Sequence, residues 1–119
     1  MNRDSNPSKH DRTALSGLKI EDLKIGSGRV AKRGDRVTMR YSGHLSRGDA
    51  FQKDITATTT LGERRVIAGL ERGLEGMRAG GIRRLRISPH LGYRDKGVAG
   101  VVPPNAVLFF EVELLSIAE

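Results

Sequence analysis

The residues that could do chemistry are few, and their spacing removes most of what they might do. His10, His44 and His90 are far apart and lack the short repeat of a metal site. There is no cysteine, which removes both a disulfide framework and a thiolate metal centre. Ser42, Ser46, Ser88 and Ser116 have no Gly-x-Ser-x-Gly setting, so none reads as an activated nucleophile. Gly26-Ser27-Gly28 lacks the lysine and following helix of a phosphate loop. Arg-Gly-Asp occurs at 33–35 and again at 47–49, both where hairpin turns are expected and where Gly and Asp belong for backbone reasons. No acid, base, nucleophile or metal set emerges.

The rings are more informative. A chain of 119 residues carries two tyrosines, three phenylalanines and no tryptophan, so each ring position counts. The net charge of +7 permits weak attraction to nucleic acid or acidic surfaces. Arg83, Arg84 and Arg86 with Arg64 and Arg65 could form a basic patch, but no exposed aromatics interleave for base stacking, so a solvated sheet face is the expectation and nucleic acid is not an expected partner.

These residues must be positioned by the segments that hold them. The stretch Gly62 to Met77 carries the chain's one helical stripe: Ile67, Leu70, Leu74 and Met77 recur at steps of three and four, predicting about three turns. Gly69, Gly73 and Gly76 each cost about 1 kcal/mol against alanine in a helix, so packing must hold it. Their closeness around the cylinder lets another layer approach. Arg78-Ala79-Gly80-Gly81 is expected to end it.

Strands are expected at Leu18–Ile25, Arg36–Ser42 continuing to Leu45, a return at Ala50–Gln52, an extended run at Thr56–Leu61, then Ile82–Ile87 and Val107–Ile117. Val37, Met39 and Tyr41 share one face, as do Leu85 and Ile87, and as do Leu108, Phe110, Val112 and Leu114. Residues 88–106 form a long, proline-stiffened connection, the kind that is usually functional. The sum is an α+β domain, a twisted antiparallel sheet of about five strands around one short helix. Residues 1–16 are polar and read as a disordered tail, with one domain over 17–119. No apolar run approaches a membrane span and no secretory leader is visible, so a cytoplasmic monomer is expected.

Five stretches together resemble the FKBP-type peptidyl-prolyl cis-trans isomerases: Val37-Thr-Met-Arg-Tyr41-Ser-Gly43, Gly48-Asp-Ala-Phe51, Val66-Ile-Ala-Gly69-Leu70-Glu-Arg-Gly73 with Met77, Ile87-Ser-Pro89, and Gly100-Val-Val-Pro-Pro104 followed by Leu108 to Leu114. They stand in family order at near-family spacing from about Leu18 onward. The resemblance implies a sheet wrapped around a helix with a pocket between them. Tyr41, Phe51, Ile67, Tyr93 and Phe110 would be the catalytic set. Val66, Leu70, Val101, Val102 and Gln52 would contact substrate, with Leu70 as floor and the two valines closing the loop side. The Ile67 backbone N–H and the Tyr93 hydroxyl would bond carbonyls of the bound peptide. It implies no cofactor, proline-containing polypeptides as substrates in assisted folding, and macrolide immunosuppressants as ligands. Gln52 stands where the family usually has an acid, Leu70 where it often has tryptophan, and Arg65 where an acid or polar group often precedes Val66. Those departures leave a peptide-binding or chaperone module with weak or no isomerase activity as the alternative.

Overall fold

The computed structural model describes residues 16–118, so the expected tail lies, but for Ser16, outside the described residues. Five strands, β1 (Leu18–Lys24), β2 (Arg36–Leu45), β3 (Ala50–Thr60), β4 (Ile82–Ile87) and β5 (Leu108–Ile117), form one sheet in the order β1-β4-β5-β2-β3. Every neighbouring pair is antiparallel. Among the described residues one α-helix, α1 (Ala68–Leu74), lies across the inner face, and a single 3-10 turn at Pro89–Leu91 follows β4.

Alternation decides which side chains meet it. Val37, Met39 and Tyr41 of β2, Leu85 and Ile87 of β4, and Leu108, Phe110, Val112 and Leu114 of β5 are all buried, together with Leu70 and Leu74 of α1. Gly69 and Gly73 are the contact surface of the helix. A methyl added at Gly69 would overlap the Ile87 side chain, and one at Gly73 the Leu85 side chain. The expected close approach is therefore present, made by two of the three glycines.

The helix is shorter than the stripe predicted, two turns in place of three. It stops at Leu74 because Gly76 takes φ 87°, a left-handed conformation that reverses the chain, so Gly80 and Gly81 play no part in ending it. Met77 is still buried, reaching the core from beyond the helix. At the other end, Ile67 is the residue before the helix, and the Glu71 carboxylate accepts hydrogen bonds from the N–H groups of Gly62 and Arg64 at 2.8 and 3.2 Å. A buried acid thus ties the incoming loop to the first turn.

Arg83 departs from the solvated arginine row the composition suggested. It shares the inner face of β4 with Leu85 and Ile87 and is buried. Its Nε donates to Asp22 Oδ1 at 2.6 Å, and its Nη1 donates to the carbonyls of Gly73 and Glu75, both at 3.0 Å. The guanidinium therefore satisfies carbonyls that the end of α1 leaves open. Arg84 does face solvent, between Glu21 and Glu111 at 3.6 and 3.8 Å. Its charge is offset by those two carboxylates.

The return segment and the Thr-rich run form one strand, β3, broken by irregular register. Tyr41 pairs Ile55 and Gly43 pairs Gln52, so Ser42 faces both Lys53 and Asp54. Asp54 sits at φ 49° with its N–H donating to Ser42 Oγ at 3.0 Å. A second irregularity follows at once: Gly43 pairs Gln52 while His44 pairs Ala50, leaving Phe51 without a partner of its own.

Candidate functional site

That unpaired position carries a ring. A bulge re-aims the side chain it holds, and here Phe51 is turned over β2 toward β5. Its ring stands edge-on to Phe110, with centroids 5.6 Å apart at 89°, and edge-on to Tyr93 at 6.5 Å and 83°. Tyr41 lies against Phe110 at 5.7 Å and 53°. Four of the five rings thus gather in one place. Phe109 is the exception, since its neighbours Leu108 and Phe110 take the inner positions of β5.

Room for this gathering comes from Gly43, which the sequence reading passed over as a pocket element. A Cβ there would come within 2.7 Å of the tip of Phe51 and 2.8 Å of the Phe110 ring. A glycine inside a strand is the available sign of a bulge or close approach. Gly43→Ala is expected to push Phe51 outward and lower turnover on an X–Pro peptide several-fold, on the order of 1 kcal/mol, with a stability loss of about 1–3 kcal/mol from crowding Phe110. A protease-coupled isomerase assay beside a thermal melt checks this.

Tyr41, Tyr93 and Phe110 line a hollow of about 410 Å³ with Gln52, Arg65, Val66, Ile67 and Leu70, while Phe51 is not in its lining and bears on it through Phe110 and Tyr93. Leu70, 2 % exposed, closes its base. Val66 and Ile67 enter from the loop that precedes α1, held by Glu71 as described. Among the described residues the Ile67 N–H and the Tyr93 hydroxyl make no hydrogen bond, so both stand free at the hollow.

Val101 and Val102 do not join this hollow. They line a separate one of about 380 Å³ with Leu45, Val98, Pro103 and Pro104. The cause is a tight turn in the 88–106 connection, where Val98 and Val102 exchange N–H to carbonyl bonds, both 2.8 Å, around Gly100 at φ 75°. The turn buries Val102 and leaves Val101 46 % exposed.

The hollow's two titratable hydroxyls stay protonated. Burial pushes the Tyr93 hydroxyl above the ordinary tyrosine value. Burial does the same for Tyr41, Tyr93 nearby adds to it, and the Gln52 side chain partly opposes the shift. Turnover is therefore expected to be flat from about pH 6 to 9. Both pKa values lie above the unfolded 10.0, so near that pH the folded state holds more protons than the unfolded one. Stability from these two groups is full below pH 10 and falls as the pH rises through it. Denaturant melts of wild type and the Tyr41→Phe/Tyr93→Phe double variant should show a shallower alkaline loss in the variant.

Residues 27–115 match the family of FKBP-type peptidyl-prolyl cis-trans isomerases. The chain belongs to it. A relative from Neisseria meningitidis serogroup B, an FK506-binding protein, is 43 % identical over 109 residues, covering 88 % of this chain and 100 % of that one. FK506-binding protein 4 of Chaetomium thermophilum is 45 % identical over 106 residues, 87 % of this chain but 22 % of that protein, so the chain spans about a fifth of such longer relatives. The crystal structure of AtFKBP13 superposes with a TM-score of 0.80 at 32 % identity, covering 87 % of this chain and 94 % of that one. The five-strand antiparallel sheet with its single helix is the FKBP fold, as the residues had suggested.

Proposed function

We propose that the ring-lined hollow is where this FKBP-type isomerase turns X–Pro peptide bonds. The convergence of Tyr41, Phe51, Tyr93 and Phe110 over Leu70 carries the reading. Rotation about an X–Pro bond breaks nothing. Its barrier is about 18–20 kcal/mol because nitrogen donates electron density to the carbonyl, and the uncatalysed step takes tens to hundreds of seconds. The planar amide is the more polar form; the twisted one has lost that resonance. A dry, apolar hollow destabilises the first relative to the second, so catalysis is preferential binding of the twisted state. Each tenfold acceleration asks about 1.4 kcal/mol, which shape and desolvation can supply without an acid, base or metal.

In this reading Tyr41, Phe51, Leu70 and Phe110 hold the proline ring. The free Ile67 N–H and Tyr93 hydroxyl accept the job of orienting the peptide by donating to its carbonyls. Val66 packs beside them, and Gln52 sets the polarity next to Tyr41. Val101 and Val102, with their own hollow, touch the polypeptide beyond the proline. The substrates are proline-containing polypeptides during folding, and macrolide ligands compete for the same space. The proposed setting is a cytoplasmic monomer with its domain at 17–119; no helix among the described residues is long and apolar enough to cross a membrane.

The test is a protease-coupled assay on a short X–Pro peptide, with refolding of a proline-limited protein beside it. Acceleration of both supports the isomerase. Binding of the peptide without acceleration would leave a peptide-holding module in its place.

A further inference from the structure

The hollow is lined by seven uncharged side chains and one charged one, Arg65. No carboxylate stands among them, and both tyrosine hydroxyls remain neutral. Glu71, the acid nearest in sequence to the lining residues of α1, is buried with an oxygen turned to the N–H groups of Gly62 and Arg64. That contact fixes the backbone of the loop from which Arg65 projects, so the cation is held at the rim of the hollow. Arg65 meets Glu63 through Nε at 2.9 Å, and among the described residues its two terminal nitrogens make no hydrogen bond. Both partners are open to solvent, at 70 % and 51 % side-chain exposure, and such a pair holds weakly.

From this we infer that Arg65 sets substrate choice. The isomerase works best on X–Pro segments bearing an aspartate or glutamate one or two residues before or after the X–Pro pair, and worst on those bearing lysine there. The inference rests on the isomerase reading of the hollow and adds to it a class of substrate. A flanking carboxylate reaches the free nitrogens of Arg65 while the proline sits against the rings. A flanking ammonium meets the same cation and is repelled. A rim charge of this kind acts mostly on association and fades with salt.

The experiment uses the full chain and a peptide series in which Glu, Gln or Lys is placed one or two residues before or after the X–Pro pair. At low ionic strength at least one position should give kcat/KM for Glu over Lys of roughly 3- to 10-fold. Arg65→Glu should invert that ratio at the same position, and Arg65→Gln should bring it near one. Glu63→Gln, which removes the competing acid, should raise it. In about 0.5 M NaCl, where the screening length is only a few ångströms, the wild-type ratio should shrink. Equal ratios in wild type and Arg65→Glu at every position would overturn the inference while leaving the isomerase intact. No acceleration of the Gln peptides by wild type would overturn the isomerase reading itself, and the inference with it.

Discussion

Phe51→Ala is expected to lower kcat/KM on an X–Pro peptide by roughly 10- to 100-fold, about 1.4–2.7 kcal/mol of transition-state binding. Phe51 is half-buried and stands edge-on to two rings of the hollow, which it props in place. Its removal takes away a wall on which a twisted proline would rest and admits water where the planar amide gains most from it. The ring sits on an edge strand and only partly buries itself against the core. Its loss should therefore cost about 1–2 kcal/mol of stability, below the range for fully buried rings. A folded variant, by thermal melt, with unchanged turnover would remove Phe51 from the site. The companion change Phe110→Ala is less decisive, because Phe110 is 2 % exposed and its loss harms folding and site together.

The largest expected effect on stability lies elsewhere. Asp22→Ala leaves the Arg83 guanidinium buried without its counter-charge, since the two side chains are only 9 % and 4 % exposed and meet at 2.6 Å. Breaking one partner of such a pair typically costs about 3–5 kcal/mol. The two helix carbonyls bonded by Arg83 Nη1 remain, so the arginine cannot simply swing into water without exposing the end of α1. Urea denaturation should show the midpoint drop with little change in slope. Replacing both residues by apolar ones of similar volume should recover part of the loss, because the paired charges also carry a desolvation cost. A loss below about 1 kcal/mol for Asp22→Ala would mean that water reaches Arg83.

These two residues also show how far the sequence could be read. Period-two alternation placed Val37, Met39 and Tyr41 on one face of β2 and Leu108, Phe110, Val112 and Leu114 on one face of β5 because burial on one side is what alternation records. The same rule puts Arg83 with Leu85 and Ile87, but a charge is expected outside unless a partner is known. The partners are Asp22 in β1 and carbonyls ten and eight residues back, and nothing local announces them. The rings were legible by rarity and type. The bulge that aims Phe51 was not, since it is a mismatch between two strands and exists only once β2 and β3 are paired. The helix was overdrawn because Met77 extends the apolar stripe, whereas Gly76 has already turned the chain. Val101 and Val102 differ for a similar reason: adjacent residues of one type, separated by the geometry of a two-bond turn.

The kink at Asp54 bears on how this protein survives its own work. β3 is the outermost strand on its side of the sheet, eleven residues long and rich in threonine and β-branched residues. Left straight, it would offer a long row of free amides to any extended chain. The left-handed Asp54, anchored on Ser42, splits that row into 50–53 and 55–60. On the proposed reading of partly unfolded polypeptide substrates, that break denies them a long straight template for cross-β growth.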